Sequence, residues 1–250
     1  MANDGTITLR VKTASLLNSA ILFISLALIG ISTASLYLTG HGMKTMDNVF
    51  PPGKYEWYRG ETPGTKHIVW LRYDGVNEGF ILAGGAIGLL AGIVGAVGSV
   101  LSFRSPKQAS VKPTLYFLAL PGAVAFIATL IALISSSVIF NTSNGKECYW
   151  ENGYRPENVF TCSRELAACA TAPYFSQHWE SPDFWPRYQA RRTACGETQT
   201  GRHLVIPLFV VAVLLFALSG LKVVLAKKAL RSESGEGADE RVERLQREEE

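Results

Sequence analysis

Four stretches of this chain carry no charge and almost no polar side chain, and polar segments separate them. They cover residues 14–38, 80–103, 115–140 and 204–221, with interior polar groups limited to Asn18 and scattered Ser and Thr. At about 1.5 Å per residue, each run covers most or all of a hydrocarbon core roughly 30 Å thick. A helix of that length in a soluble protein normally keeps a polar face, and these runs have none. The pattern predicts an all-α membrane protein with a four-transmembrane-helix bundle. Its links are residues 39–79, 104–114 and 141–203, and its ends are residues 1–13 and 222–250. The first run follows a weakly basic start but, at about 25 residues, is too long for a cleaved signal peptide. It is expected to stay as a signal-anchor helix. The length of 250 residues alone would have suggested one or two soluble domains, and hydropathy overrides it.

Basic residues set the expected orientation, because Lys and Arg in short membrane-adjacent loops stay cytosolic. The 104–114 link holds Arg104, Lys107 and Lys112 and no acid; Arg10 and Lys12 precede the first run, and Lys222, Lys227, Lys228 and Arg231 follow the fourth. Both termini are then cytosolic. Residues 39–79 and 141–203 form outer loops, facing the outside of a plasma membrane or the lumen of another secretory-pathway membrane. The net charge of +3 reports topology, so the bilayer is the expected partner and nucleic acid is not.

Cys148, Cys162, Cys169 and Cys195 all fall in the second outer loop. An oxidising compartment favours disulfides there, and a loop of about 60 residues is too small to build a large core without staples. Four cysteines permit three pairings, which the spacing does not separate. Separations of 14, 7 and 26 residues contain no C-x-x-C pair, which argues against zinc. The stretch "SRELAACA" predicts a short helix capped by Ser163. Asn141-Thr142-Ser143 is a candidate N-glycosylation acceptor beside the end of the third run. In the first outer loop, "KYEWYRGETPGTKHIVWLRYDG" places two aromatic, β-favouring runs around a turn-forming centre. This predicts a β-hairpin. A lone hairpin is marginal in water, so Tyr55, Trp57, Trp70 and Tyr73 are expected to pack on the cysteine loop or at the membrane interface.

No ionisable residue lies inside the four apolar cores, which weighs against a pump or a proton-coupled carrier. His41, His67, His178 and His203 form no metal-ligand or catalytic spacing, and no nucleophile elbow, phosphate loop or dinucleotide fingerprint is present. Neither catalytic activity nor a cofactor or metal is expected. The second run instead concentrates glycine. Turned at about 100° per residue, Gly84, Gly85, Gly88, Gly92, Gly95 and Gly98 share an arc of about 160° with Ala91, Ala96 and Ser99. Between residues 81 and 101, Ile81 is the only large residue within it. Such a face admits close helix neighbours, and its width points to the inner wall of a bundle rather than a two-helix seam. Ala20, Ala27 and Ala34 with Gly30 offer a counterpart on helix 1, and Ala125, Ala128, Ala132 and Ser135 on helix 3. Pro121 and Pro207 are placed in the first turns of helices 3 and 4, where they should bend the helix little.

This layout resembles the tetraspanin family: four spans, cytosolic ends, a short basic link, a larger cysteine-bearing second outer loop and small-residue heptads. The family's Cys-Cys-Gly motif is absent; the loop has "TCSRELAACA", with Cys195-Gly196 as its C-G pair. The resemblance implies that the loop cysteines pair as disulfides and that the protein associates laterally with other membrane proteins; a homo-oligomer is a separate expectation. Claudin-like proteins are similar in their first-loop hairpin but carry a cysteine pair there, and this loop has none. The expected function is a membrane organiser or accessory subunit, with an oligomeric channel or small-solute pathway as the alternative. The tail passes from "LKVVLAKKALR" into the acidic "SESGEGADERVERLQREEE", read as disordered or as a loose, solvated helix. Ser232 and Ser234 stand between them as candidate phosphorylation sites. Replacing both by Glu is expected to weaken binding of the tail peptide to anionic vesicles in a flotation assay; unchanged binding would refute the assignment.

Overall fold

The computed structural model describes residues 4–57, 67–104, 112–143, 159–175 and 184–248, with side chains for 15–56, 68–104, 119–141, 159–175 and 186–228. The elements are α1 (Asp4–Val49), β1 (Gly53–Trp57), β2 (His67–Tyr73), α2 (Val76–Arg104), α3 (Lys112–Ser143), β3 (Val159–Cys162), α4 (Arg164–Leu166), α5 (Phe184–His203) and α6 (Val205–Glu248). After α4 the chain widens into a π-helical turn, Ala167–Thr171, then tightens into a 3₁₀ turn, Ala172–Tyr174. Among the described residues, four helical stretches are long and apolar enough to cross a membrane: Ser15–Val49, Val76–Arg104, Ala119–Asn141 and Pro186–Lys228.

Burial along these helices follows a three-and-four alternation. On α1 the buried positions are 18, 21, 25, 28, 32, 35, 39, 42 and 46; on α2 they are 77, 78, 81, 84, 85, 88, 91, 92, 95 and 99. This is the spacing of helices packed at shallow left-handed angles. The opposite faces leave large apolar side chains bare: Phe23 is 73% exposed, Leu16 70% and Leu120 65%. A continuous apolar exterior of this kind needs lipid as its solvent. The protein is an integral multi-pass membrane protein.

Two compact units make up the chain. The first comprises Leu28–Leu89 and Ile127–Val210. In it a Cβ at Gly84 would lie 2.8 Å from Ala132 Cβ, one at Gly85 3.1 Å from Leu36 Cγ, and one at Gly88 2.8 Å from Ser32 Oγ. Ile81, Ala132 and Val205 form a small apolar core beside them. In the second unit, Met1–Ala27, Leu90–Phe126 and Val211–Glu250, Gly95 lies against Ser25 and Leu215, and Gly122 against the Phe216 backbone. Phe126 stacks on Phe216 with ring centroids 5.6 Å apart. Gly92 is buried and Gly98 half-buried.

Several expectations shift. Helix 1 does not stop near residue 38 but runs to Val49, and its continuation carries Thr39, Gly42 and Met46 inward. A Cβ at Gly42 would meet the Thr198 methyl at 2.7 Å, so glycine lets α5 approach and packing sustains the helix past its apolar run. The inward column of α1 includes Asn18, Ser25, Ser32 and Thr39; Ala20, Ala27 and Ala34 flank it, and Gly30 is exposed. Pro121 lies well inside α3, which begins at Lys112, rather than in its first turn. Pro207 does lie in the first turn of α6, as expected; its missing N–H and its ring both act at the His203 carbonyl, where α5 ends. The tail is helical to Glu248, and the side chains of Ser232 and Ser234 lie outside the described residues.

Gly88→Leu is expected to destabilise the protein by about 1–3 kcal/mol through overpacking against Ser32 and Leu208. Gly30→Ala meets nothing within 4 Å and is expected to stabilise by about 0.5–1 kcal/mol. Thermal unfolding of both variants in one detergent measures the contrast.

Candidate interaction surface

The strands alternate in burial because one face of the sheet has a core beneath it. Tyr55, Val69, Leu71, Phe160 and Cys162 point inward onto Met46, Phe50, Leu166, Ala167, Ala168, Ala172, Phe175 and Ala194. β1 and β2 pair antiparallel, as the hairpin pattern predicts, with Lys54 opposite Trp70 and Glu56 opposite Ile68. The turn residues 58–66 lie outside the described residues. β2 also pairs in parallel with β3 from the second loop, placing Trp70 beside Val159 and Arg72 beside Thr161. The backbone N–H of Asp74 donates to the Cys162 carbonyl at 2.9 Å and extends the joint by a residue.

Aromatic rings fill the space below. Tyr55 stacks on Phe175 at 4.6 Å, and Phe50 lies 5.7 Å from Phe175 and 6.1 Å from Tyr55. The hydroxyls do not stay idle. Tyr55 donates to the Pro51 carbonyl and Tyr73 to the Phe50 carbonyl, each at 2.6 Å, which fixes the exit from α1. Burial raises the pKa of both phenols, so each remains a donor at neutral pH.

The tripeptide Ser163-Arg164-Glu165 connects this layer to the helix ends. Ser163 Oγ accepts from the Leu166 N–H at 3.3 Å and caps the first turn of α4. The Arg164 backbone N–H donates to Glu78 Oε1 at 2.8 Å; its guanidinium holds both Asp47 oxygens, at 2.9 and 3.1 Å, and lies over the Tyr73 ring. Glu165, 4% exposed, accepts from Arg202 Nε at 3.0 and 3.1 Å, while the Arg202 guanidinium sits 3.8 Å from the Phe140 ring centroid. Burial raises the Glu165 carboxyl above its usual range, with Arg202 pulling the other way. One short segment thus grips α1, α2 and α5, and Arg202 carries the tie on to Phe140 of α3. Asp74 Oδ1 accepts from the Val76 N–H at 3.1 Å and caps α2.

Cys169 and Cys195 form a disulfide that ties the π-helical turn to α5. Cys162 is disulfide-bonded as well, with its partner outside the described residues, as is Cys148. Arg191 adds a second tie from α5, donating to the Ala168 carbonyl at 3.1 Å. Asn141 is exposed near the end of α3. Of the histidines, His41 pairs with Glu197 at 2.8 Å and stacks on Tyr37, and His203 is exposed at the end of α5. His178 and the side chain of His67 lie outside the described residues.

The outward face of the sheet carries Lys54, Glu56, Ile68, Trp70, Arg72, Val159 and Thr161. Ile68 is 52% exposed, Trp70 41% and Val159 55%, side by side across β2 and β3. Lys54 Nζ lies 4.7 Å above the Trp70 ring. The result is a small apolar patch with a polar and basic rim on a rigid base. Comparison with protein-family models, with curated proteins and with solved structures finds no match for the chain.

β3, α5 and the ion pairs leave little trace in the sequence. "VFTC" is only four residues, although it alternates in burial. The buried face of α5 is Arg191, Ala194, Thr198 and Gly201, which lacks the large apolar residues that announce an amphipathic helix. Arg202→Leu is expected to cost about 3–5 kcal/mol by leaving Glu165 buried and unpaired. For a carboxyl whose folded pKa is raised, stability is greatest below its ordinary value of about 4.3 and is lost as pH rises through the raised one. Arg202→Leu should steepen that loss and Glu165→Gln should remove it; unfolding midpoints between about pH 4 and pH 8 test both.

Proposed function

We propose that the protein is a non-enzymatic membrane organiser or accessory subunit that works through its sheet-bearing loops and through lateral association with other membrane proteins. The observation that carries this reading is the Ile68, Trp70 and Val159 patch, apolar and exposed on a sheet whose other face is fully packed. A tryptophan set in a polar rim on a rigid mount is the usual composition of a binding hot spot. The basic residues near the membrane support cytosolic termini, with the sheet extracellular or lumenal, in the plasma membrane or another secretory-pathway membrane. On that side the exposed Asn141 is available as a glycosylation acceptor, and the loop disulfides suit the oxidising compartment. The layout likeness to tetraspanins points to the same role. Partners are other membrane proteins, including further copies of this chain.

The test uses full-length protein solubilised in mild detergent. Trp70→Ala is expected to weaken partner copurification by about 2 kcal/mol or more, roughly thirtyfold in affinity, without changing the unfolding midpoint. Equal recovery with wild type, or recovery of monomer alone across several detergents, would sink the reading. Conductance from reconstituted oligomers without any partner would favour a channel instead.

A further inference from the structure

Polar side chains inside the membrane helices differ in how they are satisfied; Ser35 Oγ, for one, donates across to the Gly201 carbonyl at 3.4 Å. Ser19, Thr33 and Ser102 donate back to the carbonyl one turn earlier, on Ser15, Ile29 and Gly98. That satisfies a hydroxyl without any neighbour. Asn18, Ser25, Ser99 and Ser219 do otherwise. They are 9%, 0%, 0% and 1% exposed, and Asn18 Oδ1 and the three hydroxyl oxygens have no hydrogen-bond partner among the described residues.

All four belong to the unit Met1–Ala27, Leu90–Phe126 and Val211–Glu250, and contacts within it bring them to neighbouring levels. A Cβ at Gly95 would lie 2.5 Å from Ser25 Oγ and 3.7 Å from Leu215 Cδ1. Lys222 Nζ donates to Ser102 Oγ at 3.1 Å. Positions 95 to 102 on α2 and 215 to 222 on α6 span equal lengths, so these segments run parallel and in step. Ser99 and Ser219 therefore share one level between the two contacts. Helix α1 runs against α2, as the pairings of Gly85 with Leu36 and Gly88 with Ser32 require. Asn18, about 10.5 Å along the helix from Ser25, then falls at the level of Ser102 and Lys222.

We propose that this compartment is a binding site for ordered water, bridging Asn18, Ser25, Ser99 and Ser219. An unpaired hydroxyl away from bulk water is costly, and a buried water needs about two to four polar partners, which these side chains supply. Hydroxyls and a carboxamide both donate and accept, and water matches that set. A bound metal cation would face repulsion from the half-buried Lys222 ammonium at one end. The site is independent of the loop surface.

The experiment is water-to-protein magnetisation transfer by solid-state NMR on the full chain in deuterated lipid. Transfer to the Asn18 amide and to Ser99 is expected to exceed that to the buried Ala125 methyl several-fold; equal transfer overturns the proposal. Ser99→Ala and Ser219→Ala supply a second reading through their sign. Removing a water-bonded hydroxyl should lower the unfolding midpoint by about 2–4 °C, whereas removing a dry orphan would raise it. An unchanged or raised midpoint in both variants also overturns it.

Discussion

The parallel pairing of β2 with β3 is the constraint on which the loop architecture rests. Strands that run parallel need a crossover between them, and here the crossover consists of two membrane helices, α2 and α3. The joint cannot form until those helices have left one side of the bilayer and returned to it. Once formed, it turns a marginal two-stranded hairpin into a three-stranded sheet with one face buried, which is about the minimum for independent stability. The aromatic stack of Tyr55, Phe50 and Phe175, the tie through Arg164 and the disulfide from Cys169 to Cys195 all lie beneath or beside that sheet. Each joins segments distant in sequence. Membrane insertion supplies the closure that lowers the entropic cost of these long-range contacts.

Inside the lipid the problem is of another kind, because apolar side chains gain nothing from meeting each other that lipid would not supply. Close backbone approach and polar pairing have to serve instead. The glycines of α2 permit that approach, and three of them meet small side chains, Ala132 at Gly84, Ser32 at Gly88 and Ser25 at Gly95, while Gly85 receives Leu36. Large residues such as Leu90, Ile93 and Val97 turn to the outside, which inverts the soluble pattern. The inner face is consequently more polar than the outer one. An expectation built on glycine and alanine alone identifies α2 well and places the centre of α1 wrongly, on Ala20, Ala27 and Ala34 instead of on the Asn18, Ser25, Ser32 and Thr39 column.

Much of the fold was legible because lipid enforces long apolar runs, and hydropathy alone is enough to mark the four spans. The hairpin was legible for a local reason, since alternation and β-branched or aromatic residues act over a few positions. What escaped was set by tertiary contacts. Residues 39–49 have no apolar run to declare them helical, and they hold that form through Gly42, Met46 and their neighbours on α5. α5 has a mostly polar surface and a buried face of small residues, so its periodicity was faint. The apolar patch on the sheet could not be seen at all from the hairpin sequence, because Val159 comes from the other loop and completes it only through the parallel register.

The charges of Arg164, Glu165 and Arg202 show how local chemistry and long-range topology meet. Buried ion pairs add little net stability over well-packed apolar residues, but each is costly to break. A segment that presents a cation to α1 and an anion to α5 therefore selects one arrangement of those helix ends and penalises others, through unpaired charge rather than through added affinity. Glu78 reinforces the choice, because its carboxylate accepts the Arg164 backbone N–H only when β3 lies in register beside β2. Apolar packing alone would tolerate slippage between smooth membrane helices. The "SRE" tripeptide removes that tolerance, and with it fixes which residues the sheet turns outward.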